Sequence, residues 1–136
     1  MDFHPKTLRI SVGGYTGSSY SVELCDGKLR YEATEYGHAN PRSEVIAPTE
    51  EQWAQFRSAL DSCRVWQWQP DYPNPGVTDG TRWEVEVVYD DAALLSHGDN
   101  NYPKAGGKPS GDAEGSREFS RLMRAVRALL GGRPFR

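Results

Sequence analysis

Apolar and polar residues alternate from Thr81 to Tyr89, which predicts a strand with one buried face. The residues on that face are Trp83, Val85, Val87 and Tyr89. Asp90-Asp91 follows as a turn, and Ala92 to Ser96 returns as the second strand of a hairpin. We expect this hairpin to form the centre of the fold.

The first part of the chain carries three more alternating runs, beginning with a strand from about Thr7 to Val12. Their apolar positions are, in chain order, Leu8, Ile10 and Val12, then Tyr20, Val22 and Leu24, then Leu29, Tyr31 and Ala33. The glycine-rich segment 13–17 predicts the first turn. Asp26-Gly27 predicts a tight hairpin, because both central residues of a type I′ turn need a positive φ. A three-stranded antiparallel meander follows.

Two segments have the spacing of amphipathic helices. Thr49 and Gln52 match a capping box, and apolar residues then recur at helical spacing to about Cys63. Ser116 can cap the second helix, which Gly131-Gly132 ends. The apolar faces are Trp53, Phe56, Leu60 and Cys63 in the first helix, and Phe119, Leu122, Met123, Val126, Leu129 and Leu130 in the second.

The connections carry weaker signals. In the polar segment 36–48, Val45-Ile46 is a candidate for an additional short strand. Val65–Trp68 alternates and is interpreted as a short edge strand, whereas the prolines that follow exclude regular structure up to Gly80. Residues 98–115 hold five glycines and two prolines, which predicts a long loop.

The predicted order is therefore βββα-ββα. It indicates an α+β fold, a two-layer sandwich in which two amphipathic helices pack on one face of an antiparallel sheet of five to six strands. A chain of 136 residues can bury a core without disulfides or metal, so we expect one globular domain over residues 1–136.

Charge is spread unevenly along the chain. Residues 1–100 carry eight basic and 16 acidic side chains, whereas residues 101–136 carry eight basic and three acidic ones. The acidic body argues against general nucleic-acid binding, although the basic tail leaves a local contact open. Cys25 and Cys63 form no metal or redox motif and are expected to be reduced. With neither a signal-peptide pattern nor a membrane-span pattern, we expect a cytoplasmic protein.

Two short motifs resemble a widespread group of small uncharacterised bacterial domains. In that group Asp-Gly-Thr precedes a strand that contains tryptophan, and a Gly-x-Asn-x-Tyr-Pro loop leads towards a final amphipathic helix. Here these motifs are Asp79-Gly80-Thr81 before Trp83, and Gly98-Asp99-Asn100-Asn101-Tyr102-Pro103. The resemblance covers roughly Gln52 to Leu130 and implies the fold, but no activity.

The loop after the central hairpin holds the polar residues that a binding site needs. These are His97, Asp99, Asn100, Asn101 and Tyr102. As an enzyme site, His97 would be the acid or base and Asp99 would orient it. The alternative is structural, with the asparagines bonding the loop backbone and Tyr102 packing the loop onto the sheet.

Aromatic residues cluster in sequence around this loop, and Trp68 and Tyr72 complete the predicted binding residues. Trp83 is expected in the core, and a tryptophan left at the surface would be a binding anchor. We expect no cofactor and no metal, because the histidines lie in distant segments. Four arginines face one side of the last helix, either as a solvated face or as a contact for phosphate: Arg117, Arg121, Arg124 and Arg127.

The leading hypothesis is a non-enzymatic, cytoplasmic binding or protein-interaction domain, bacterial in style. Its surface would use residues 71–78, residues 98–115 and any exposed tryptophan. The alternatives are a small enzyme with His97 and Asp99, or nucleic-acid contact through the arginine face. The sequence leaves the oligomeric state open.

Overall fold

The structure, a computed structural model, describes residues 3–14, 17–35, 41–74, 80–110 and 116–136. In chain order its elements are β1 (Thr7–Gly14), β2 (Ser19–Cys25), β3 (Lys28–Thr34), β4 (Arg42–Ile46), α1 (Glu50–Cys63), β5 (Asp71–Tyr72), β6 (Thr81–Val88), β7 (Ala93–Asp99) and α2 (Arg117–Leu129). Two short 3₁₀ helices cover Val65–Gln67 and Ala105–Gly107.

Parts of several predictions fall outside the described residues. They concern residues 15–16 of the first predicted turn and residues 36–40 of the connection before β4. The same holds for residues 75–79, which include Asp79 of the first motif, and for residues 111–115 of the long loop.

The strands form one mixed sheet in the order β4-β3-β2-β1-β6-β7-β5. Each neighbouring pair is antiparallel except β5 and β7, which are parallel. The predicted α+β class is confirmed, and so is the central hairpin of β6 and β7. The prediction of five to six antiparallel strands in the order βββα-ββα matches in part. The candidate strand at Val45-Ile46 is present in β4, and the parallel β5 raises the number of strands to seven.

The register aligns the apolar positions of neighbouring strands on one face. Ile10 in β1 stands beside Val22 in β2 and Val85 in β6, and all three side chains are buried. At the turn between β2 and β3, Asp26 has φ 50° and Gly27 has φ 77°, as a type I′ hairpin requires. The alternation in sequence thus produces one buried sheet face.

Both helices pack against each other and bury their stripes in the same core as the sheet. At the start of α1, the Gln52 N–H donates to Thr49 Oγ1 (3.1 Å) and the Thr49 N–H donates to Gln52 Oε1 (2.8 Å), so the capping box is confirmed. Ser116 Oγ caps α2 by accepting from the Phe119 N–H at 3.1 Å. Neither helix of the described chain is long and apolar enough to span a membrane.

The edge strand predicted over Val65–Trp68 is wrong. Arg64 ends α1 in the left-handed conformation, and Val65–Gln67 turns at once into a 3₁₀ helix. In that helix residues three apart lie on one side, so Val65 and Trp68 are both buried while Trp66 is half-buried. Over only four residues, the two-residue period of a strand cannot be distinguished from the three-residue period of a 3₁₀ helix.

The prediction that Pro70 to Gly80 has no regular structure is also wrong for two residues. Asp71–Tyr72 pairs with His97 and Gly98 as a two-residue parallel strand. The His97 N–H donates to Pro70 O at 3.1 Å, a bond in which the proline acts only as an acceptor. The prolines therefore limit β5 to a very short edge strand rather than preventing it.

Arg57 joins α1 to the turn between β6 and β7. Its Nε donates to Asp61 (3.0 Å), and its two terminal nitrogens donate to the two oxygens of Asp91 (2.9 Å each). The guanidinium lies 4.5 Å from the ring centre of Tyr89 and 5.3 Å from that of Trp66. This bidentate pair lowers the pKa of the Asp91 carboxyl.

Replacing Asp91→Asn should flatten the acid side of the pH–stability profile. Because the folded protein holds the pKa of Asp91 below its unfolded value of about 3.9, the pair stabilises the fold above that pH. This stabilisation is lost as the pH falls through the folded pKa. Thermal melts from neutral pH to about pH 3 should show a lower melting temperature for the variant at neutral pH and a smaller loss on acidification.

Asp90→Asn is the matched control. Asp90 is the next residue and makes one exposed contact, with Lys6 at 2.7 Å. Identical profiles for the two variants would contradict a special contribution of the Arg57–Asp91 pair.

Candidate binding surface

Trp83 lies at the centre of an aromatic cluster beneath the predicted site. Its ring centre is 5.1 Å from Phe119, 5.7 Å from Tyr72, 6.1 Å from Trp68 and 6.4 Å from Tyr102. Three of the predicted binding residues, Trp68, Tyr72 and Tyr102, are therefore core side chains with at most 7% exposure. Such ring pairs stabilise a core beyond their burial.

Position 98 needs a glycine because the Trp83 ring occupies the space beside it. A Cβ at this position would stand 2.5 Å from Trp83 Nε1. The same indole N–H donates to Asn101 O at 3.0 Å. The glycine of the second motif therefore leaves room for the tryptophan that follows the first motif.

Asn100 joins the two motifs directly. Its backbone is left-handed (φ 48°), a conformation that asparagine tolerates better than most residues. The Asn100 N–H donates to Thr81 O at 2.9 Å, and the Thr81 N–H donates to Asn100 Oδ1 at 3.0 Å. A Cβ on Gly80 would stand 2.0 Å from Asn100 Nδ2. The Asn100 side chain thus fills the space that a side chain at position 80 would need.

The neighbouring polar groups are used within the loop. Asn101 Nδ2 donates to Pro73 O at 3.0 Å, and the Tyr102 N–H donates to Ser110 Oγ at 3.2 Å. The hydroxyl of Tyr72 donates to Gly107 O at 2.6 Å. Asn101 is buried like Asn100, so these groups satisfy backbone that water does not reach.

On β7, His97 is exposed and Asp99 is half-buried, and the two side chains do not pair with each other in the structure. His97 Nδ1 lies 3.2 Å from Asp71 Oδ1, and Asp99 accepts from Arg82 Nε at 2.7 Å. The carboxylate positioned to orient the imidazole is therefore Asp71 of β5.

The predicted arginine face of α2 is divided. Arg117, Arg121 and Arg124 are exposed, whereas Arg127 is half-buried and donates to Phe135 O at 2.8 Å. Arg127 therefore holds the C-terminal segment against the helix.

The sheet face opposite the helices, called the open face here, carries a concave polar surface. One row across it contains only small and acidic residues and a histidine. In sheet order from β4 to β5 the row is Ser43, Glu32, Ser21, Ser11, Glu84, His97 and Asp71. The adjacent row is Val45, Arg30, Glu23, Arg9, Glu86 and Leu95.

Small side chains on the two central strands make the open face hollow. Ser11 and Ser21 stand side by side, between the longer Glu32 and Glu84 of the flanking strands. Two connected hollows of about 450 and 310 Å³ share Ser11, Ser21 and Glu84. We call this surface the hydroxyl trough, with the two serines as its floor and the two glutamates as its walls.

The rows differ in how their charges are compensated. In the adjacent row basic and acidic residues alternate, and Arg9 lies 4.0 Å from Glu86. In the trough row, by contrast, Glu32 and Glu84 make no ion pair with any described residue. The hollows are also lined by Arg9 and Arg82, which are paired with Glu86 and Asp99. The trough row therefore presents hydroxyl groups and two carboxylates without a described cationic partner, which favour a cationic ligand with hydrogen-bond donors.

A metal or nucleophilic centre is not assembled here. Among the described residues no group of three or more His, Cys, Asp and Glu side chains is placed to hold a metal ion. Ser11 and His97 stand two strands apart, roughly 10 Å at ordinary strand spacing. The imidazole is thus too far from the serine to activate it.

Sequence reasoning missed the trough residues. The Asp26-Gly27 hairpin already implies that Ser21 stands beside Glu32, because a two-residue turn sets the register. The positions of Ser11 and Glu84 depend instead on the pairing of β1 with β6, for which the sequence carries no local signal.

No family model matches the chain, and no curated protein matches it. The geometry therefore carries the functional argument.

Gly80→Ala should destabilise the fold through Asn100, since the added methyl group needs the space of the buried amide. We expect a loss of about 1–3 kcal/mol, or several degrees in melting temperature. In an Asn100→Gly background, which keeps the left-handed backbone, the same alanine should cost much less. A double-mutant cycle of urea unfolding measures the difference as a coupling free energy of about 1 kcal/mol or more.

Gly17→Ala is the control, because a Cβ there meets no atom within 4 Å. Additive effects of Gly80→Ala and Asn100→Gly would contradict the shared space.

Proposed function

We propose that this chain is a non-enzymatic protein-binding domain that holds a basic segment of its partner in the hydroxyl trough of the open face. The proposal rests on two carboxylates, Glu32 and Glu84, which stand at the two sides of a serine floor and make no ion pair with a described residue. Arg82, which lines the smaller hollow, is paired with Asp99. Unpaired charge in a hollow is the arrangement that electrostatic complementarity requires of a binding surface.

The spacing of the walls specifies the segment. Glu32 and Glu84 lie on β3 and β6, three strand spacings apart, which is about 14 Å. An extended segment rises about 3.3 Å per residue, so two lysines or arginines about four positions apart would reach both carboxylates. Residues an even number apart also point to the same side of an extended chain.

An apolar contact is available beside the trough. Leu95 is 69% exposed and, like His97, lines the larger hollow. An aliphatic or aromatic side chain that follows the basic residues would cover it and add affinity through burial.

Binding is better supported than catalysis. His97 and Asp71 form an imidazole–carboxylate pair, but the serine floor lies two strands away. The predicted partner of His97, Asp99, is occupied by Arg82.

We propose a cytoplasmic location for this domain, which the free Cys25 and Cys63 thiols support. We also propose that the chain belongs to the uncharacterised bacterial group and that its sheet and helices form a two-layer sandwich. The direct contact of Gly80 and Thr81 with Asn100 supports this, because it gives the two motifs one structural reason to occur together.

Selection of peptides from a random library on the immobilised protein should enrich lysine and arginine about four positions apart. Glu32→Gln and Glu84→Gln should each weaken a selected peptide about tenfold by removing one charge-assisted contact, and added salt should weaken it further. Isothermal titration measures the affinity, and chemical-shift mapping locates the peptide.

Glu51→Gln is the matched control, because Glu51 is an exposed carboxylate on α1, away from the open face. Selected peptides without basic residues, or peptides that map outside the open face, would contradict the proposal.

A further inference from the structure

A second concave surface lies on the helix side of the molecule. It is formed by the end of α1, the two 3₁₀ helices and the beginning of α2, and it encloses about 260 Å³. We call it the basic cleft, because its charged lining residues are Arg64, Lys104, Arg121 and Glu118. Trp68, predicted as a binding residue, also lines it.

The wall of the basic cleft is fixed by a close backbone contact. Gly107 has φ 79°, and a Cβ on it would stand 2.4 Å from Gln67 O. The Gly107 carbonyl accepts the hydroxyl of the buried Tyr72 at 2.6 Å. The two 3₁₀ helices are therefore held together without an intervening side chain, and the cleft is a built feature of the fold.

Three cations converge on the cleft from separate elements. Arg64 follows α1, Lys104 precedes the second 3₁₀ helix, and Arg121 belongs to α2. None of them forms an ion pair with a described residue, whereas Arg57 and Arg82 are each held by carboxylates. With Glu118 as the one carboxylate in the described lining, the charged side chains leave a net charge of +2.

We infer that the basic cleft binds a small molecule through a phosphoryl group. A phosphate monoester carries a charge of about −1.5 to −2 near neutral pH, which matches the lining. Guanidinium groups offer paired donors to phosphate oxygens, and the ammonium of Lys104 adds a point charge. The volume exceeds that of a bare phosphate, so there is room for an organic substituent beside it. This inference stands independently of the open face.

The test is a titration of the full chain with orthophosphate, phenyl phosphate and citrate at constant ionic strength, followed by NMR. We expect saturable shifts of the Trp68 indole and of the backbone amides from Lys104 to Gly107. Arg121→Gln and Lys104→Gln should each weaken binding about tenfold. Tighter binding of phenyl phosphate identifies an organic phosphate as the ligand, and tighter binding of orthophosphate identifies the inorganic ion.

Arg124→Gln is the control, because Arg124 is exposed on the same helix but does not line the cleft. Thermal melts of all variants establish that they are folded. Absence of saturable shifts, equal weakening in Arg124→Gln, or tighter binding of citrate than of either phosphate would overturn the inference.

Discussion

The fold depends on the space that the Trp83 indole occupies at the centre of the sheet. The ring excludes a side chain at Gly98 on the neighbouring strand, and its N–H holds the Asn101 carbonyl. Phe119 of α2 packs on the same ring at 5.1 Å. One side chain thus sets the pairing of β6 with β7, the path of the following loop and the position of the second helix. A close-packed interior transmits any change in this ring to all three.

This constraint explains why the polar residues of the loop after β7 are bonded within the protein. Loop backbone that covers an aromatic cluster is removed from water and must find partners within the protein. The amide side chains of Asn100 and Asn101 supply them, to Thr81 and Pro73. The two asparagines and the tyrosine of this motif therefore have a structural role here. Accessible polar side chains lie instead on the open face of the sheet, where the short serine side chains leave a hollow.

Local sequence patterns predicted most of the helices and strands. The other features depend on pairing between segments far apart in the chain, which local patterns do not specify. Alternation, the Asp26-Gly27 turn and the Thr49 and Ser116 caps depend on neighbouring residues, so β1, β2, β3, the central hairpin and both helices could be located in advance. The parallel pairing of the two-residue β5 is a tertiary contact without a sequence period. The trough was missed for the same reason, because Ser11 and Glu84 meet only through the pairing of β1 with β6.

In the fold, acidic and basic side chains form two separate surfaces. Glu32 and Glu84 face outward on the sheet, while the three cations of the basic cleft lie on the helix side. A basic segment would be repelled by the cations of the basic cleft, and a phosphoryl group would be repelled by the carboxylates of the open face. The two proposed surfaces would therefore select opposite ligands.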